Sequence, residues 1–203
     1  MQEASIDIDE ESERPSALAP GFLRLVLRAA AVTVAVALAA RVTVPLVDAV
    51  APFTLQTLAV LVAGPLAGKR SGSLGIALYL LLGGLGAPLF AGGASGWAVL
   101  FGPSAGFLWA FLAVAPLIGL ARKRFDADDT GAWFVVFLVG HMVILAVGFA
   151  WLLILGKLPD PLAAALPMLP GMLLKTMLAT AVVHFALPVV RRRRDPRRRP
   201  RGA

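Results

Sequence analysis

Long apolar runs, broken by short clusters of glycine, proline and charge, set the layout of this chain. A helix needs about 20 apolar residues to cross a hydrocarbon core of roughly 30 Å at about 1.5 Å rise per residue. Six such segments are predicted, at approximately residues 22–40, 54–68, 73–86, 104–121, 132–156 and 165–190. The second and third are short. Short, glycine-interrupted spans mark the part of a membrane protein that builds a binding site.

Between the third and fourth segments, residues 83–107 (GGLGAPLFAGGASGWAVLFGPSAGF) hold eight glycines, two prolines and no charged residue. Glycine at this density weakens a helix and proline removes a backbone donor, so irregular main chain is predicted there. Irregular backbone that stays apolar is tolerated at a bilayer only where it packs on protein or lines a cavity. A cavity at this point implies a ligand.

Composition places the whole chain in the same setting. With 59% hydrophobic residues, 15% charged residues and a mean hydropathy of +0.82, it reads as an all-α integral membrane protein and not as a soluble domain. The absence of cysteine excludes a disulfide framework, a thiolate metal site and a cysteine nucleophile, and two histidines make a polynuclear metal site improbable. Neither a metal nor a cofactor is expected.

Charge then fixes the orientation. Arg14, Arg24, Arg28, Lys69, Arg70, Arg122, Lys123, Arg124 and the eight arginines of residues 191–201 fall on one side, sixteen in all, against Arg41 and Lys157 on the other. By the positive-inside rule both termini are cytoplasmic, and the glycine-rich loop between helices three and four faces the outside of the cell membrane. Three parts follow. Residues 1–21 hold six acids and one base and form a disordered tail without the basic start of a signal peptide. Residues 22–190 form the six-helix membrane domain, and residues 191–203 form a basic cytoplasmic tail. The net charge of +7 is concentrated in that tail, which fits anionic lipid headgroups and not nucleic acid.

Several residues are candidates for chemistry. Lys175 lies beyond the start of the last segment, where a buried ammonium is costly unless paired or hydrated. It either snorkels to the nearer interface or meets a ligand carboxylate. Thr54 and Gln56, with Thr57, stand at the outer start of the second segment, where capping and ligand recognition both explain them. Phe90, Trp97 and Phe107 crowd the glycine-rich region as an aromatic wall or as interfacial anchors. Ala31, Ala35 and Ala39 put a small residue every four positions along the first helix, a smooth stripe for docking another membrane protein or for packing within the bundle.

Two enzyme signals fail. GPLAGKR at residues 64–70 is one spacer short of a phosphate loop and has Arg70 where serine or threonine is required. GPSAG at residues 102–106 matches a nucleophile elbow, which raises an intramembrane serine hydrolase using Ser104. Depth argues against it. His184 lies roughly thirteen residues inward of the outer serines Ser95 and Ser104, about 20 Å in projection, whereas a base must come within about 3 Å. His141, in the inner half of the fifth segment, is no better placed, so both histidines are expected to be structural or to face a partner.

PFTLQTLAVLVAG, GLGAPLFAGG, GPSAGF and LPGMLLK occur in this order and spacing, and in them residues 22–190 resemble the BioY family, the biotin-specific substrate-binding (S) components of energy-coupling factor (ECF) transporters in prokaryotes. The resemblance implies a bundle that captures biotin on the outer side and docks with a transmembrane coupling subunit and ATPase subunits, which hydrolyse the ATP. It implies docking for Ala31, Ala35 and Ala39, and a place beside the ligand carboxylate for Lys175. Two departures stand out: Met172 where many relatives have an acid, and Phe107 where many have tyrosine. Methionine cannot accept from the ureido N–H groups of biotin. An S component for a different small vitamin and the Ser104 hydrolase are the alternative readings.

Overall fold

The computed structural model describes residues 20–44 and 53–194. Six long helices carry the fold among these residues: α1 (Pro20–Ala39), α2 (Gln56–Ala67), α3 (Lys69–Gly84), α5 (Ala105–Ala121), α6 (Thr130–Ile154) and α8 (Leu169–Arg194). Two short helices, α4 (Trp97–Phe101) and α7 (Pro161–Ala165), and two 3-10 turns lie between them. The acidic residues before Pro20, residues 45–52, and the basic residues beyond Arg194 lie outside the described residues.

Among the described residues the regular structure is all helical apart from a two-residue antiparallel ladder, Thr43 opposite Thr54 and Val44 opposite Phe53. That ladder ties the end of α1 to the start of α2. α2 sits at the centre and packs on α1, α3, α5 and α8, while α1 meets α3, α3 meets α5, α5 meets α6 and α6 meets α8. Gly68, at φ 96°, turns the chain from α2 directly into α3, a backbone conformation open to glycine at no steric cost.

Burial follows helical spacing. On α6 the buried positions are Trp133, Phe137, Gly140, His141, Ile144, Gly148 and Leu152, a stripe three or four residues apart. α8 buries Met172, Lys175, Thr176, Ala179, Val183 and Leu187 in the same way. The opposite faces are apolar too: Leu38, Val139 and Phe185 are among the exposed side chains. Apolar residues on both the core face and the outer face are what a helix in lipid requires. Residues 21–39, 130–154 and 161–191 are long and apolar enough to cross a membrane, and Gln56–Ala67 and Ala105–Ala121 are shorter apolar helices.

The element boundaries differ from the hydropathy pattern where charge or proline interrupts it. α3 starts at Lys69, ahead of the apolar run at residue 73, because the helix continues through charged residues that a hydropathy window excludes. The last segment divides into α7, a 3-10 turn and α8, and Asp160 caps α7 by accepting from Leu162 N and Ala163 N, each at 3.0 Å. At its other end α8 runs into the basic stretch as far as Arg194. Arg191 bonds the Asp126 carboxylate and donates to the Arg122 and Phe125 carbonyls, each at 3.2 Å, so the helix is anchored where the tail begins. Within residues 83–107, α3 ends at Gly84, the backbone from 85 to 96 is irregular apart from a 3-10 turn at Ala91–Gly93, and α4 follows.

Basic residues gather at one end of the bundle. Arg122 donates to the Leu66 carbonyl at 3.3 Å, Arg191 reaches the Arg122 carbonyl, and Arg24, Arg28, Lys69 and Arg70 line one surface recess. Residues 41–44, 53–54 and 85–104 lie at the opposite end, where Arg41 donates to the Pro88 carbonyl.

Candidate functional site

At the end opposite the basic cluster, α2, α5, α6, α8 and the 85–104 segment enclose a cavity of about 130 Å³. One water needs about 10–15 Å³ on that measure, so there is room for a small organic molecule's worth of atoms. Phe90, Phe107, Leu108, Phe111, Ile144 and Met172 give an apolar wall. Thr54, Gln56, Thr57, Ser104, His141 and Lys175 bring polar atoms to it. A mostly apolar surface with few polar groups is the usual make-up of a small-molecule site.

Lys175 does not snorkel. It is 4% exposed, and its Nζ donates to the Thr54 carbonyl at 3.1 Å, across from α8 to the ladder that precedes α2. The Lys175 amine is thereby held in the cavity wall. Thr54 in turn donates its hydroxyl to Gln56 Oε1 at 2.8 Å and accepts from the Gln56 backbone N–H at 3.2 Å. Gln56 Nε2 bonds the hydroxyl of Tyr79, which is fully buried on α3. The Gln56 amide is fixed at both ends, yet each end keeps capacity, one N–H and one lone pair, for a further partner. Tyr79 is a part of the site that the linear sequence did not reveal. It is the chain's only tyrosine, and its place on the buried stripe of α3 is the signal that marks it.

Glycines seat the aromatic wall. The Phe90 ring lies edge-on to Tyr79 with centroids 5.4 Å apart, and a Cβ at Gly83 would stand 2.4 Å from Phe90 Cζ. A Cβ at Gly148 would stand 2.2 Å from the Phe107 ring. Neither ring fits unless these positions lack a side chain. Trp97 is placed differently from its aromatic neighbours: it is 49% exposed, lies against Gly84, and is not among the lining residues.

The two histidines separate. His184 lies toward the basic end, its Nδ1 3.2 Å from the Ala127 carbonyl, in keeping with a structural role. For His141 the depth argument is corrected: the cavity reaches mid-bundle, and His141, 2% exposed near the middle of α6, lines it together with Ser104. Hydropathy alone could not find this, but the stripe Trp133, Phe137, His141, Ile144 puts the imidazole on the inward face. Its Nδ1 is 2.9 Å from Thr176 Oγ1, and no hydrogen bond joins it to Ser104 among the described residues. The Ala31 and Ala35 side chains line an apolar groove with Ala59, Val62 and Ala63 of α2, on the outer surface of the bundle and apart from the cavity, while Ala39 is half-buried one turn beyond.

Comparison with known proteins gives a consistent picture. The family model described as "BioY family" matches residues 11–192. A biotin transporter, BioY2, of Lactococcus lactis subsp. cremoris is 39% identical over 142 residues, covering 70% of this chain and 78% of the relative. A biotin transporter BioY of Thermotoga maritima is 34% identical over 127 residues, covering 62% and 72%. The crystal structure of an S component for biotin from an ECF-type ABC transporter superposes with a TM-score of 0.72 at 26% identity, covering 85% of this chain and 92% of that one.

Proposed function

Because this chain belongs to the BioY family, we propose that it captures biotin as the substrate-binding subunit of an ECF-type uptake transporter. It is a transport subunit and not an enzyme. The observation that carries the reading is the buried Lys175 in the wall of a mostly apolar, aromatic-lined cavity. Biotin has a carboxylate at one end, an aliphatic chain and a fused bicycle that carries a cyclic urea. In this reading Lys175 meets the carboxylate, while Phe90 and Phe107 pack on the apolar parts. Thr54 and Gln56 contribute polar contacts through the capacity that their mutual bonds leave. Trp97 serves as an anchor at the mouth.

The six long helices span the cytoplasmic membrane in this proposal, with both termini inside and the cavity opening outward. The gathering of basic residues at the end away from the cavity supports that orientation. The acidic tail, the membrane domain and the basic tail remain three parts, with the tail at anionic headgroups. Ala31 and Ala35, in the groove between α1 and α2, and Ala39 one turn beyond dock the coupling subunit, since small residues permit close helix approach. ATP hydrolysis belongs to the partner subunits.

The test is a titration of detergent-purified protein with biotin and with biotin methyl ester, on the native chain and on Lys175→Ala. The native chain should prefer the free acid at least tenfold, about 1.4 kcal/mol. Lys175→Ala should lose that preference. Equal preference in both proteins would remove the role given to Lys175.

A further inference from the structure

Among the described residues, two buried side-chain polar atoms lack a hydrogen-bond partner: Thr57 Oγ1 and His141 Nε2. Both residues line the same cavity. Buried polar atoms are almost always satisfied, and an orphan pair converging on one cavity marks atoms that a ligand completes.

The hydrogen bonds around His141 fix what Nε2 can do. Thr176 Oγ1 lies 2.9 Å from the Met172 carbonyl and 2.9 Å from His141 Nδ1. A carbonyl only accepts, so the single hydroxyl hydrogen of Thr176 goes to Met172. The contact with His141 then needs a hydrogen of its own, and Nδ1–H must supply it. A neutral imidazole that donates from Nδ1 carries a bare lone pair on Nε2. The cavity therefore contains a pre-set acceptor held by a relay from α8, beside the apolar Met172 side chain.

We propose that His141 is a specificity-determining residue that accepts a ligand N–H at Nε2, with the Thr57 hydroxyl donating to the adjacent carbonyl. The ligand class is a neutral cyclic urea or amide that presents N–H beside C=O. The proposal rests on the biotin reading, in which the ureido group supplies both. Thr176 is a positioning residue, since it acts by holding the imidazole tautomer.

The experiment uses the full chain in detergent and measures affinity for biotin and for the two biotins methylated on one ureido nitrogen or the other. The native chain should bind one of the methylated forms at least tenfold more weakly than biotin. His141→Phe should weaken biotin at least tenfold and erase that discrimination. His141→Gln, which puts an amide oxygen close to the Nε2 position, should stay within a few-fold of the native chain. Unchanged biotin affinity in His141→Phe, or an equal loss for all three ligands, overturns the inference while leaving the biotin reading intact. Absence of biotin binding by the native chain removes both.

A second readout does not depend on the variants folding equally well. The chain has two histidines, so ¹⁵N spectra can be assigned by comparison with His141→Gln. His141 Nε2 should give a non-protonated ring-nitrogen signal that moves when biotin is added. A protonated Nε2, or a signal indifferent to biotin, overturns the proposal.

Discussion

At the scale of single residues, the cavity depends as much on missing side chains as on present ones. Gly83 and Gly148 are each placed so that a Cβ would strike a phenyl ring of the wall. Overfilling a packed site typically costs about 1–3 kcal/mol through displaced side chains. Gly83→Ala should push Phe90 out of its place against Tyr79 and lower biotin affinity about tenfold or more, with the helical content of the purified protein unchanged. Affinity equal to that of the native chain would mean that Phe90 is not part of the binding wall. The residue types at this site were partly legible in the sequence. Lys175 and Gln56 drew attention because charge and amide groups are conspicuous in apolar runs, and both line the cavity. Tyr79 and His141 were not legible as site residues, because what places them is contact with Gln56 and Thr176, residues 23 and 35 positions away.

At the scale of elements, hydropathy found the six long helices because length and apolarity are local properties. It could not say which face of each helix turns inward. In a soluble bundle the polar face marks the outside, whereas α6 and α8 are apolar all round and the contrast vanishes. The glycine-rich segment shows the same division. Its irregular start was predicted from glycine and proline, but its closure over the cavity is made by long-range bonds: Gly96 N–H to the Gly83 carbonyl at 2.7 Å, Trp151 Nε1 to the Gly102 carbonyl at 2.9 Å, and the Arg41 guanidinium to the Pro88 carbonyl. Arg41 lies outside the cavity lining, so its removal separates loop order from ligand contact. Arg41→Ala should speed amide hydrogen exchange across residues 87–96 several-fold while exchange in α5 and α6 stays as it is. Unaltered exchange in that segment would show that Arg41 does not hold it.

At the scale of the whole molecule, one end is basic and the other holds a cavity that combines an apolar wall with a buried lysine and a buried histidine. That polarity suits a subunit that anchors to one membrane face and receives a ligand at the other. The groove lined by Ala31 and Ala35 lies on the flank, apart from the cavity, so in the proposed assembly a partner docked there leaves the cavity free. In the proposed reading biotin meets the cavity's polar groups with its carboxylate toward Lys175 and its urea toward His141 and Thr57. The departures at Met172 and Phe107 make ligand choice the decisive question, since another small vitamin would offer different polar atoms to the same wall. The most direct measurement is equilibrium binding of biotin to the purified full-length chain, in competition with excess unlabelled biotin and, separately, with other small vitamins. Saturable binding displaced by biotin alone is the predicted result; no saturable binding of biotin, or displacement by a different vitamin at lower concentration than biotin, would contradict the account.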